Sequence, residues 1–148
     1  MKSIWHTHAQ REIHDRLETL TADRRGQWGK MTSQQMVCHL TESLRMALGD
    51  LTVAPKRLPI RYPPLKQLII YVAPFPKNAP TAPELIIGVT PNEMSRDIEA
   101  LQQQLDRFVA RGPDATFVDH PAFGTLTPRA WGVLVYRHMD HHLKQFGA

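Results

Sequence analysis

Three of the eight histidines, His138, His141 and His142, fall within five residues near the C-terminal end of the chain. His138 and His142 stand four apart. If this stretch is helical, their rings stack one turn apart on the face that also carries Trp131 and Val135. Two imidazoles at that spacing can share one metal ion. Neutral ring nitrogens suit zinc, nickel, copper or iron. His141 is rotated about 60° from His138 on a helix, which suits a rim position. The pattern is not that of a metallopeptidase: Met139 stands where that class needs a glutamate after the first histidine, and Asp140 points to the opposite face. The glutamate pattern of di-iron bundles is missing as well.

A third ligand must come from elsewhere. His39 is the best candidate, at the edge of an apolar stripe between Met36 and Ser43. His6 is the reserve, sharing a face with Ala9, Ile13 and Leu17, although a residue so near the N-terminus is expected to fray. Cys38 points away from that stripe, and we read it as structural.

Four helices would position these groups. The first runs from about Ile4 to Leu20, with Ala9, Ile13, Leu17 and Leu20 on one face. A second opens at Thr32, where Gln35 completes a capping box, and stops at Gly49. Met36, Val37, Leu40, Leu44, Ala47 and Leu48 form its buried stripe. The third starts at Thr90-Pro91-Asn92-Glu93 and carries Met94, Ile98, Leu101, Leu105 and Phe108 to Arg111, closed by Gly112-Pro113. The last starts at Thr127-Pro128 and runs to about Gln145.

Nine of the twelve prolines lie between Pro55 and Pro91, where helix interiors are excluded. The expected fold is therefore all-α: a four-helix bundle with a long Pro-rich crossover between its second and third helices. A short helix is expected within the crossover, near Leu65 to Val72, with extended chain at 73–76 and 79–83. The short connections on either side would make the first helix an antiparallel neighbour of the second, and the third of the fourth.

At 148 residues and 16.9 kDa the chain is read as one domain, residues 1–148, with 42% hydrophobic and 22% charged residues. Eighteen Lys and Arg against fourteen Asp and Glu leave +4, spread without the dense basic stripe and aromatic platform of a nucleic-acid footprint. No nucleic-acid partner is expected. The longest apolar run, 68–75, is too short for a bilayer, and no membrane partner is expected. A single cysteine and a polar N-terminus point to a cytoplasmic protein.

Two blocks carry a family resemblance. Trp28-Gly29-Lys30-Met31-Thr32 with Gln35-Met36-Val37-Cys38-His39-Leu40 resembles the start of the second helix in DinB-like proteins. His120-Pro121-Ala122-Phe123-Gly124, then Trp131, then Tyr136-Arg137-His138-Met139-Asp140-His141-His142-Leu143-Lys144-Gln145-Phe146-Gly147 resembles one branch of that superfamily, of unknown function. The resemblance covers nearly the whole chain. It implies a divalent metal, zinc or nickel first, held by His39, His138 and His142. It also implies a homodimer, and a place among thiol-dependent S-transferases and a mycothiol-dependent isomerase. On that analogy the open position would take a low-molecular-weight thiol attacking a small electrophilic substrate.

Two alternatives stand beside it: a metal-dependent hydrolase, and a non-catalytic, stress-associated module in which the metal staples two helices. Glu42 is the nearest candidate base, though a solvated helix face explains it more simply. Arg45 and Arg137 are candidates to meet an anionic thiol, with surface charge the default for both. The block His120–Gly124 reads first as a turn burying Phe123, and second as a roof over the metal cleft with His120 near the site. Trp131 is core first and pocket wall second.

Overall fold

The computed structural model describes residues 1–77, 79–87 and 92–148. The helices expected from Thr32 and from Thr127 begin and end where the local chemistry says they should, while the first is shorter than expected at both ends, covering Thr7–Glu18 rather than Ile4 to Leu20. Helix α1 (Thr7–Glu18) buries Ala9, Ile13 and Leu17 on one face. Helix α2 (Ser33–Leu48) has the full capping box: Thr32 Oγ1 accepts from Gln35 N at 3.1 Å and Gln35 Oε1 accepts from Thr32 N at 2.9 Å. It ends at Gly49, whose φ of 87° is the left-handed turn that a Cβ disfavours.

The crossover carries a 3-10 turn at Pro59–Arg61 and then helices α3 (Leu65–Tyr71) and α4 (Glu84–Ile87). Helix α3 lies where the pattern predicts a short helix; α4 was not anticipated. Helix α5 (Met94–Arg111) starts later than the Thr90-Pro91 signal, which lies outside the described residues. Glu93 holds its N-cap position, and Asp97 accepts a hydrogen bond from Asn92 N at 3.1 Å. Helix α6 (Pro128–Gln145) is capped by Thr127, which accepts from Ala130 N, with proline in its first turn.

The close helix pairs are not the consecutive ones. Among the described residues α2 packs along α5 and touches α6, while α1 packs on α6 and touches α5. The expectation that α1 neighbours α2 and α5 neighbours α6 is therefore corrected. Short connections allow adjacency, but the apolar faces decide which partner is nearest. One core joins these helices, including Leu40 and Leu44 of α2, Leu101, Leu105 and Phe108 of α5, and Trp131 and Leu143 of α6. Helix α3 docks on α6 and buries Ile70. Among the described residues there is no strand, only an isolated bridge between His120 and Gly124.

The N-terminal segment before α1 straps across α6. Ile4 N donates to Gly132 O at 2.9 Å and Trp5 Nε1 to Pro128 O at 2.8 Å, with Trp5 stacked on Phe108. A Cβ on Gly132 would stand 2.2 Å from Trp5 Nε1 and 2.5 Å from Ser3 Oγ, so only glycine lets the strap approach.

Candidate metal centre

Helix periodicity puts His138 and His142 on one face of α6, and α2 crosses that helix so that His39 meets them. One ring nitrogen from each of the three lies within 4.8 Å of the others. His39 Nε2 and His138 Nε2 are 3.1 Å apart. The ring centroids stand 4.9 to 5.1 Å apart, and the planes are inclined by 69° to 85°. Two nitrogens on one tetrahedral zinc sit about 3.3 Å apart, so adjustments of roughly an ångström or so would bring the three into ligating range.

The electrostatics suit a cation. Burial pushes the His39 imidazole down to about 4, against a smaller opposing pull from the Leu85 backbone. Burial, then the neighbouring His39, lowers His142 to about 3, with Gln145 opposing. His138 is held well below its ordinary value by burial first and by His142 and His39 next. All three rings are neutral at pH 7, and neutral imidazole is the ligating form. His39 Nδ1 is buried with no hydrogen-bond partner. Three uncharged rings, one of them incompletely satisfied, are the donor set a borderline-soft divalent ion accepts.

The orientation of His142 is fixed by a residue that sequence reasoning passed over. Gln145 is only 4% exposed. Its Nε2 donates to Trp28 O at 2.7 Å, which leaves Oε1 to accept from His142 Nδ1 at 2.8 Å. The proton therefore sits on Nδ1, and the Nε2 lone pair of His142 is left for a ligand. Gly29 makes room: its φ is 79°, and a Cβ there would lie 2.7 Å from Gln145 Nε2. The signal was legible in principle, since Gln145 stands three residues after His142 and shares its face.

The last turn of α6 is tied down from the α1–α2 connection. Gln27 N donates to Gln145 O, and Arg24 Nη1 donates to Phe146 O and Gly147 O. Arg16 bonds Asp140 and Ala148 O.

Other sequence candidates separate from the cluster. His6 is the exposed N-cap residue of α1, stacked on His8, because the helix begins after it. His141 is half-buried between His142, Phe75 and Trp28, as expected of a rim group. Glu42 is buried at 2% exposure and paired with Arg45 at 2.9 Å, so neither the solvated-face reading nor a base in the cleft holds. Arg137 is no surface charge and no anion contact: its guanidinium donates to the carbonyls of Ile69, Ile70 and Ala73 and closes the end of α3. Cys38 is buried, and desolvation, with Asp97 and Glu42 nearby, raises its thiol to about 11; it is an unreactive group in the cleft wall.

The three histidines open onto a cleft of about 1290 Å³ between α2, α6 and the crossover. Most of its lining is apolar, including Leu40, Leu44, Phe75, Leu85, Leu134 and Val135. Trp131 is 2% exposed and also lines the cleft, so it is core and wall at once. The His120 turn serves both of its readings. Phe123 is buried and Gly124 adopts φ 68°, while His120 faces the cleft.

Fold and site thus define an all-helical protein with a buried, neutral three-histidine cluster beside an apolar cleft. The chain belongs to the family described as "Protein of unknown function (DUF1569)", which matches residues 5–148. No curated protein and no solved structure matches it. No helix among the described residues is long and apolar enough to cross a membrane.

Proposed function

We propose that the chain is a single-domain, DinB-like four-helix bundle that holds a divalent cation, zinc or nickel, on His39, His138 and His142. We read it as a thiol-dependent transferase acting on small electrophiles. The observation that carries the cation reading is the convergence of three neutral imidazole nitrogens, from two helices, within 4.8 Å.

A cation bound there supplies Lewis acidity at the head of the cleft. The chain supplies the rest. Gln145 keeps the Nε2 of His142 unprotonated, burial keeps all three rings neutral, and the apolar walls exclude water from an apolar partner. Three protein ligands leave part of a coordination sphere open, which supports catalysis over a closed structural staple. In the transfer itself the thiol sulfur bonds to an electrophilic carbon, the thiol proton leaves to solvent, and the leaving group departs with its bonding pair. The choice of a thiol as co-substrate rests on the DinB-like resemblance.

Metal content after purification without an affinity tag tests the cation reading. Near-stoichiometric zinc or nickel is expected in the wild type and in His6→Ala, with a large loss in His138→Ala. Equal content in wild type and His138→Ala would overturn it. Turnover of a generic electrophile with glutathione, mycothiol or bacillithiol tests the transfer. Its absence with all three, in metal-loaded protein, would leave the cation site without that activity.

A further inference from the structure

The turn before α6 brings one more polar group into the cleft that the triad opens onto. His120 Nδ1 accepts from two backbone amides, Ala122 N at 3.1 Å and Phe123 N at 3.2 Å. These N–H groups occupy the lone pair that a second ring proton would need, so the imidazole is neutral and its one proton is on Nε2. The ring packs against Phe123 at 4.8 Å and Trp131 at 5.5 Å and lines the cleft. It stands near enough to His138 that a charge on it would oppose protonation there. Its Nε2–H has no partner among the described residues and is not sealed off from the cleft.

The charge that acts on this ring belongs to Arg61, which donates to Pro121 O at 3.2 Å, lies against Gly124 and takes no part in the cleft lining. Burial first, and Arg61 next, keep a second proton off His120. Among the described residues no Asp or Glu lines the cleft. An oxygen that gains charge beside His120 therefore meets a fixed, uncharged N–H rather than a carboxylic acid.

A neutral donor of this kind suits an uncharged acceptor whose oxygen becomes negative only as it reacts, because the hydrogen bond then strengthens toward the transition state. We propose that the electrophile of the transfer is an apolar epoxide whose ring oxygen accepts from His120 Nε2–H. Its hydrocarbon part lies on the apolar lining, which includes Leu134 and Val135. The thiol sulfur bonds to a ring carbon, and the C–O bond breaks with its pair on oxygen. The thiol proton leaves to solvent, and the oxygen takes a proton from solvent while His120 keeps its own. The binding rests on the cleft alone, and the ring opening rests on the transferase reading.

Calorimetric titration tests it, with styrene oxide and with cyclopropylbenzene, which has the same shape and no oxygen, on the protein as purified and after chelation. His120→Asn keeps a side-chain oxygen for the two amides and removes the Nε2–H. It should weaken styrene oxide about five-fold and cyclopropylbenzene by less than about two-fold, in both preparations. In the wild type the His120 Nε2–H proton resonance should move on adding styrene oxide and stay in place with cyclopropylbenzene. With metal-loaded protein and glutathione, mycothiol or bacillithiol, the variant should lose about thirty-fold in kcat for styrene oxide, more than it loses in affinity. The proposal is overturned if styrene oxide does not bind, if the variant weakens both ligands alike or neither, or if the resonance does not move. Titrations that hold while no thiol gives turnover would overturn the transferase reading alone and leave His120 as the oxygen donor.

Discussion

The cleft is bounded on one side by α2 and α6 and on the other by the crossover, and the two walls are held in different ways. The helical wall is regular. Its ends carry a capping box, a left-handed glycine and a threonine cap, and its inner face is continuous with the core. The crossover wall has little periodic structure and depends on side chains reaching across. Arg137 closes α3, Lys66 Nζ donates to Thr125 O, Arg61 donates to Pro121 O, and Lys56 N is fixed on the same carbonyl. The difference separates two tasks. The three imidazole nitrogens that converge within ångströms sit on packed helices, whereas the facing wall hangs from a few hydrogen bonds.

Four substitutions or conditions would break or sharpen that contrast. The largest effect is expected on the helical wall. Gly132→Ala forces a Cβ into Trp5 and Ser3, and since Trp5 is itself bonded and stacked, the fold should lose about 3 kcal/mol in denaturant titration. A loss near zero would mean that the strap is loosely held.

Arg137→Leu comes next. It leaves three carbonyls without their donor, and about 2 kcal/mol is expected. Its signature should be local: faster proteolysis between Tyr62 and Lys77 with helical circular dichroism preserved. Uniform unfolding would show that the crossover is no less cooperative than the helices.

Gln145→Leu should cost about ten-fold in metal affinity by chelator competition, because His142 loses the acceptor that sets its tautomer.

The remaining effect concerns pH. Burial, with Arg61 adding to it, lowers His120 to about 4, below the ordinary value near 6.5. The unfolded chain therefore takes up a proton that the folded one refuses, so the His120 contribution is complete above pH 6.5 and is lost as pH falls toward 4. His120→Asn should reduce the slope of the metal-free protein's stability curve in that window by about one proton, the other buried histidines keeping the rest, and an unchanged slope would count against a buried neutral His120.

Legibility from sequence follows the same division. The helical wall could be read because its information is local: a threonine three residues before a glutamine, a glycine after the last apolar residue, a four-residue histidine spacing. The start of α5 was misplaced because the Thr90-Pro91 signal competes with Glu93 and Asp97 further on. Helix pairing was misjudged since loop length limits adjacency without choosing it.

On the site, His39 was reached by helical-wheel position and by resemblance, and its meeting with His138 is a tertiary fact that no spacing contains. Glu42 and Arg137 were misread for one reason. A charged residue was assigned to solvent by type: Arg45 stands only three residues from Glu42, but the burial of Glu42 and the carbonyls that Arg137 meets are set by segments distant in sequence. Gln145 escaped because a glutamine on a helix has no pattern of its own until its two bonds are seen.

The ties on the end of α6 have a consequence for how the protein breathes. Terminal turns of helices ordinarily fray, and two of the three imidazoles lie in the final two turns of theirs. With Arg16 and Arg24 gripping the carbonyls of Phe146, Gly147 and Ala148, and Gln27 gripping that of Gln145, that end is stitched to α1 and to the connection that follows it. The amide protons of His142 and Gln145 should then exchange with solvent deuterium as slowly as those in mid-helix.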